Sequence, residues 1–189
     1  MVGRGRGWER ARVILASERL VLRPFAAADG PALHAYLSQP DVVRFEPYGP
    51  QDAAACDRLA RERADDDRFL AACTADGTLV GHVYLAPDGP EEWRTWEIGY
   101  VFNPAYGGLG YATEAARRVV THLVADERAH RVVVHCDPRN ERSWRLAERL
   151  GMRREGHFLQ AVSFEDDEHG EPIWHDAYLY AVLADEWRG

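Results

Sequence analysis

Residues 103–115 read NPAYGGLGYATEA. A strand-like run precedes them (TWEIGYVF, 95–102) and a helical run follows (TEAARRVVTHLV, 113–124). A strand, a glycine-rich turn and a helix in that order form an anion site. Glycines let backbone N–H groups crowd around an oxyanion, and the helix N-terminus adds positive dipole. The expected ligand is a phosphate or pyrophosphate. A Walker loop would end in Gly-Lys-Ser/Thr, but Gly110-Tyr111-Ala112 carries no lysine. A dinucleotide fingerprint would need Gly or Ala where Thr113 stands. Read alone, the stretch also fits a tight strand-to-helix turn with no ligand.

Outward from this loop the chain alternates strand and helix signals. Alternation over 18–25 reads as a strand, 28–38 as an amphipathic helix stopped by Gln39-Pro40, and 51–64 as a second helix. Strands at 69–74 and 78–85 flank the hairpin turn Ala75-Asp76-Gly77. A strand at 93–102 leads into the loop. After the 113–124 helix come an apolar strand at 131–136, a helix at 141–150 capped by Gly151, and strands at 152–162 and 174–183 around an acidic loop. The order is mixed α/β, and the helix after Gly110 should join two parallel strands by a right-handed crossover.

The bulk properties narrow the function. The 189 residues suit one domain, expected at 17–189 behind a basic tail at 1–16. A net charge of −8 argues against a nucleic-acid face and suits a cationic acceptor such as an amine or basic peptide. All 23 basic residues are arginine, so there is no lysine to acetylate on the chain itself. No stretch approaches a membrane span, and no apolar core follows the basic N-terminus as in a secretory signal. Cys56, Cys73 and Cys136 are odd in number and lack CxxC spacing, and no HExxH is present. Free thiols in a reducing cytoplasm, and no metal, are the expectation.

Several separated motifs, in order, carry a resemblance to a known family. They are SERLVLRPF (17–25), AADGPALHAYLSQPDVVRF (27–45), EIGY (97–100), GLGYATEA (108–115), NERSWRLAERLGMRREG (140–156) and HDAYLYAVLADEW (175–187). Together they resemble the RimJ/RimL branch of the GNAT superfamily of N-acetyltransferases. The loop is similar to that family's acyl-coenzyme A pattern Gln/Arg-x-x-Gly-x-Gly/Ala, with Gly107 departing from Gln/Arg, Gly110 at the central glycine and Ala112 at the end. The resemblance implies a GNAT-like α/β fold: a mixed, mostly antiparallel sheet of about seven strands with two central parallel strands splayed apart, flanked by about four helices. It implies acetyl-CoA as co-substrate, a primary amine as acceptor, direct attack on the thioester, and a monomer or homodimer. A non-catalytic acyl-CoA binder, or use of a longer donor such as succinyl-CoA, stays open.

The same resemblance assigns roles. Acetyl transfer needs a deprotonated amine, a polarised thioester carbonyl and a stabilised leaving thiolate. Glu97 is the candidate base, through a water, if burial raises its pKa; the bland alternative is a structural carboxylate. Backbone N–H groups of Tyr100, Val101 or Phe102 would polarise the carbonyl. Gly107, Gly108, Leu109, Gly110, Tyr111, Ala112 and Thr113 would hold the pyrophosphate. Asn140 would touch the pantetheine arm and Ser143 would hydrogen-bond the thiolate, although both also suit a helix N-terminus. A tyrosine acid found elsewhere in the superfamily is replaced by Ala147. Phe45, Tyr48, Trp96 and Asp176 would border the acceptor. The acidic run 165–168 reads as a solvated loop that could also attract an amine.

Overall fold

The computed structural model describes residues 13–189. Among the described residues, eight strands form one sheet in the order β1-β2-β3-β4-β5-β6-β8-β7. They are β1 (Leu15–Ala16), β2 (Leu20–Pro24), β3 (Phe69–Thr74), β4 (Leu79–Pro87), β5 (Thr95–Phe102), β6 (Arg131–Cys136), β7 (Arg153–Asp166) and β8 (Pro172–Leu183). Five α-helices among the described residues flank it: α1 (Gly30–Leu37), α2 (Pro40–Val43), α3 (Ala53–Ala64), α4 (Tyr111–Ala125) and α5 (Glu141–Arg149). Every neighbouring pair is antiparallel except β5 and β6, which α4 joins as a parallel crossover.

Both faces of the sheet are covered over its first half, and the side chains follow the period of two. Along β3, Leu70 and Ala72 enter the core beneath α4, while Ala71 and Cys73 enter a second core with α1 and α3. This two-sided burial is why FLAACT lacks a polar alternation. Ala115, Ala116, Val119, Val120 and Leu123 form one fully buried stripe of α4. The second core encloses a polar chain. His82 on β4 is buried; its Nδ1 lies 2.7 Å from the Tyr36 hydroxyl, and its Nε2 lies 3.3 Å from Arg63 Nη1. Arginine only donates, so Nε2 accepts and Nδ1–H donates to the tyrosine oxygen.

The parallel ladder between β5 and β6 positions the site. It has three rungs, Thr95↔Arg131, Trp96↔Val132 and Glu97↔Val133. Beyond Glu97 the two strands separate, although β5 stays paired to β4 as far as Phe102 and β6 to β8 as far as Cys136. A wedge-shaped notch thus opens in the middle of the sheet.

The structure differs from the sequence expectations at several ends. The tail expected at 1–16 yields Leu15 and Ala16 to β1, which pairs with β2 and is the eighth strand; residues 1–12 lie outside the described residues. Pro40 does not merely end α1, because it starts the short helix α2 at its first position, where its missing N–H costs nothing. The acidic loop is narrower than expected: Glu165 and Asp166 belong to β7, and the turn is carried by residues 167–170 with Gly170 at φ +80°.

Candidate functional site

The loop between β5 and α4 is a glycine-rich turn that leaves a run of backbone donors unpaired. Asn103 caps one 3-10 turn (Pro104–Tyr106), its side chain accepting from the Ala105 N–H at 3.0 Å. The Gly107 N–H donates back to Pro104 O at 2.8 Å, and the first helical bond of α4 is Glu114 N–H to Gly110 O at 3.0 Å. Between them, the N–H groups of Gly108, Leu109, Gly110, Tyr111, Ala112 and Thr113 find no acceptor among the described residues. Gly108 at φ +78° and Gly110 at φ +82° adopt left-handed backbone that glycine takes without a Cβ penalty. Arg19, from the β1–β2 turn, fixes the loop from behind. It donates from Nη1 to Leu109 O at 2.9 Å and lies 4.8 Å over the Tyr111 ring.

The notch begins beside this loop. On its α5 side, the Tyr100 hydroxyl donates to Ser143 O at 2.9 Å, and the Ser143 hydroxyl lies 3.4 Å from the phenol oxygen. Burial pushes the Tyr100 phenol well up, so it stays protonated. Asn140 caps α5, its side chain accepting from the Ser143 N–H at 3.2 Å. The nearby Cys136 thiol is pushed up to about 11 by burial, against a hydrogen bond to Ser143, and is therefore a thiol at neutral pH. A thiol is a poor nucleophile, which disfavours an acyl-cysteine intermediate.

On the opposite sheet face, Glu97 sits at the last rung of the notch. It is not deeply buried: its side chain is 36% exposed, and Oε1 accepts from His135 Nδ1–H at 3.1 Å. The burial expected for this carboxylate is replaced by an imidazole partner.

The four residues expected around the acceptor do not converge. Trp96 is buried in the core under α4, on the face opposite Glu97, because neighbours along a strand point to opposite sides. Asp176 also lies on the other face by the same alternation along β8. It is occupied in tying its own hairpin, accepting from Gln160 N–H at 2.9 Å and His157 Nε2 at 2.8 Å. Tyr48 packs against the second core, and burial pushes its phenol up to about 12. Phe45 lies with its ring 5.7 Å from the Arg139 guanidinium of the β6–α5 loop, a cation that Asp176 also feels. Arg139 in turn is held by Asp137 and by His175 Nδ1 at 3.0 Å.

A family model described as Acetyltransferase (GNAT) domain matches residues 19–153. The chain belongs to the GNAT family. It is 32% identical to the uncharacterized N-acetyltransferase YnaD of Bacillus subtilis (strain 168), over 92% of this chain and 98% of that protein. The crystal structure of a GNAT-family acetyltransferase from Bacillus anthracis superposes with a TM-score of 0.84 at 32% identity, covering 92% of this chain and all of that one. A shorter match, 26% identical over 48% of this chain and 43% of the other, joins it to the [ribosomal protein uS5]-alanine N-acetyltransferase of Escherichia coli (strain K12). The chain is accordingly an N-acetyltransferase, and the GNAT reaction is acyl transfer from an acyl-CoA to an amine.

In this GNAT protein both departures from the family pattern have a local cause. A Cβ on Gly107 would stand 2.9 Å from Pro104 O, a backbone atom that cannot step aside. Glycine at 107 therefore belongs to the tight 3-10 turn. Ala147, at the position of the absent tyrosine, is fully buried in the core under α5. Three side chains escaped the sequence reading: Arg19, His135 and Glu46. Each acts through a partner distant in the chain, so periodicity carries no trace of it. Glu46, next to Phe45, is pushed up to about 7 by burial, with Arg63 pulling it down. Among the described residues, no helix is long and apolar enough to cross a membrane, and no group of three or more His, Cys, Asp or Glu is placed to hold a metal.

Proposed function

We propose that this chain transfers the acetyl group of acetyl-CoA to a primary amine, a protein N-terminus or a small amine, by direct attack on the thioester. The observation that carries the reading is the continuity between six unpaired N–H donors at Gly108–Thr113 and the notch between β5 and β6. The cradle would take the pyrophosphate, and the notch would take the pantetheine arm as an extended ligand beside Tyr100, Val101 and Phe102. Asn140 would meet that arm, and Ser143 would hydrogen-bond the departing thiolate. Glu97, with its partner His135, would stand at the proton-accepting end. The ribosomal-protein relative supports an N-terminal amine as acceptor, and the net charge of −8 supports a cationic one.

Residues 17–189 would act as one catalytic unit, monomer or homodimer. Three free, buried cysteines support work in the reducing cytoplasm. The test is thiol release from acetyl-CoA, and in parallel from succinyl-CoA, against basic N-terminal peptides, polyamines and aminoglycosides. Release with acetyl-CoA and one amine class supports the reading. Binding of acetyl-CoA by calorimetry with no release in any mixture favours a non-catalytic binder, and failure to bind any acyl-CoA overturns the reading.

A further inference from the structure

On the sheet face opposite α4 and α5, an open cleft of about 570 Å³ lies over the paired end of the β5–β6 ladder and reaches the start of the notch at His135. It is lined by Asp88, Glu92 and Trp93 before β5, by His130 just before β6, and by Val133 and His135 along β6. Glu97 is not among its lining residues. His135 follows the last rung by two positions on β6, so it is the first side chain on this face past the point where the strands separate. It stands between the cleft and Glu97, with 42% of its side chain exposed.

The hydrogen bond to Glu97 dictates the tautomer. A carboxylate only accepts, so the neutral imidazole carries its proton on Nδ1 and its lone pair on Nε2. Nε2 has no partner among the described residues. The imidazole thus presents a free basic nitrogen while its other nitrogen is held by an acid.

Building on the acetyl-transfer reading above, we propose that His135 is the catalytic residue that takes the proton from the acceptor amine, and that Glu97 is the positioning carboxylate behind it. The bound ammonium gives one proton to Nε2. The free amine attacks the acetyl carbon, a C–N bond forms and the C–S bond breaks. A second proton passes from the attacking nitrogen to the thiolate, leaving amide and thiol, and the imidazolium returns its proton to water. The surroundings favour that imidazolium. The Glu97 hydrogen bond raises the His135 pKa above the free imidazole value, burial opposes it, and Asp88 adds to the rise. Of the other groups lining the cleft, Glu92 is acidic, Arg94 is cationic and His130 is titratable. Arg131 is neutralised by Glu155 of β7, and β8 presents the apolar Leu179.

The test is the pH profile of kcat/KM for acetyl transfer by the full chain, with the His135→Asn, His135→Gly, Glu97→Gln and Glu46→Gln variants. Wild type should gain activity through a limb above the ordinary imidazole value of about 6.5. His135→Asn should lose about 10²-fold or more in kcat and lose that limb, with acetyl-CoA affinity unchanged. Glu97→Gln should move the limb to lower pH, and an NMR titration of the His135 ring should move with it. The limb should persist in Glu46→Gln, whose carboxyl also titrates near neutrality. Added imidazole should restore part of the rate to His135→Gly, which a structural role would not permit. A wild-type rate and limb in His135→Asn, or a ring titration indifferent to Glu97→Gln, overturns the proposal while the transferase stands. A wild type inert toward every amine sinks the transferase reading and this role with it.

Discussion

Arg19 and Glu114 lie 95 residues apart in the chain and meet beside the glycine-rich β5–α4 loop. The Arg19 backbone N–H donates to Glu114 Oε1 at 2.7 Å, its Nε donates to Oε2 at 2.7 Å, and Ser17 Oγ adds a third bond at 2.8 Å. One carboxylate on the first turn of α4 therefore collects the β1–β2 turn, while the same arginine grips Leu109 O. Burial opposes ionisation of Glu114, but these hydrogen bonds outweigh it and hold its carboxyl below the usual value.

Glu114→Gln should consequently loosen the cradle rather than unfold the protein. Hydrogen bonds to charged groups are worth about 1.5–3 kcal/mol, and Arg19 is half-exposed, so the lower end applies. The expected result is a rise of about tenfold in the acetyl-CoA Kd by calorimetry, with kcat at saturation little changed. An unaltered Kd would show that the cradle keeps its shape without this clamp.

Gly107→Gln would restore the family residue, yet it should not improve coenzyme binding. The new Cβ would press on Pro104 O from 2.9 Å. The expected cost is about 1–3 kcal/mol, a few degrees in Tm by calorimetry. Tighter binding with an unchanged Tm would contradict the packing account.

Gly110→Ala should cost more than Gly107→Gln does in coenzyme affinity. An alanine at φ +82° carries a left-handed strain of about 1–2 kcal/mol, and its methyl would stand 3.4 Å from Arg19 Nη2. Relaxing the strain would rotate the very N–H groups that face the anion. Calorimetry with acetyl-CoA should record the weakening, and an unchanged enthalpy and Kd would count against the cradle.

Ser143→Ala separates capping from chemistry. Asn140, not Ser143, supplies the side-chain cap of α5, so the fold should persist. If the hydroxyl stabilises the thiolate, kcat should drop about tenfold or more, the worth of one charge-assisted bond, at constant KM for acetyl-CoA. The check is steady-state thiol release, and a wild-type kcat removes Ser143 from the chemistry.

Stability should fall with acidity through His82. Burial, then the Arg63 charge, holds its folded pKa well below the ordinary value. An unfolded His82 thus binds a proton at a pH where the folded one does not. Its contribution is complete above about pH 6.5 and is lost as pH falls below that, by up to about 1.4 kcal/mol per pH unit. Urea unfolding at a series of pH values should show this slope in wild type and a shallower one in His82→Gln. Parallel slopes would assign the effect to other groups.

Local signals sufficed wherever an element is bounded by turn chemistry. The β3 limits at Phe69 and Thr74 and the β6 limits at Arg131 and Cys136 agree with the periodicity, since Asp76-Gly77 and Asp137-Pro138 punctuate them. The loop glycines were equally legible, because a positive φ leaves a direct mark on residue choice. What stayed hidden depends on pairing. Trp96 and Glu97 are adjacent letters, yet the sheet sends one to the core and the other to the cleft side. The His135 partner lies 38 residues away on a strand whose register no local pattern records. The β7 strand hid its length because bulges between Phe158 and Val162 and between Ser163 and Asp166 break its alternation.

The three-rung ladder between β5 and β6 has a mechanical consequence. Edge strands usually sit at the margins of a sheet; here edge-like backbone, rich in unspent amides, runs through the middle. The two halves of the sheet are thus tethered at one end, like scissor blades at a pivot. Amide hydrogens along Ile98–Phe102 that point into the gap should exchange with solvent as quickly as those of a surface loop, despite their central address. Whatever occupies the gap as a surrogate strand would slow that exchange and brace the blades, so that thermal resistance and ligand occupancy rise together.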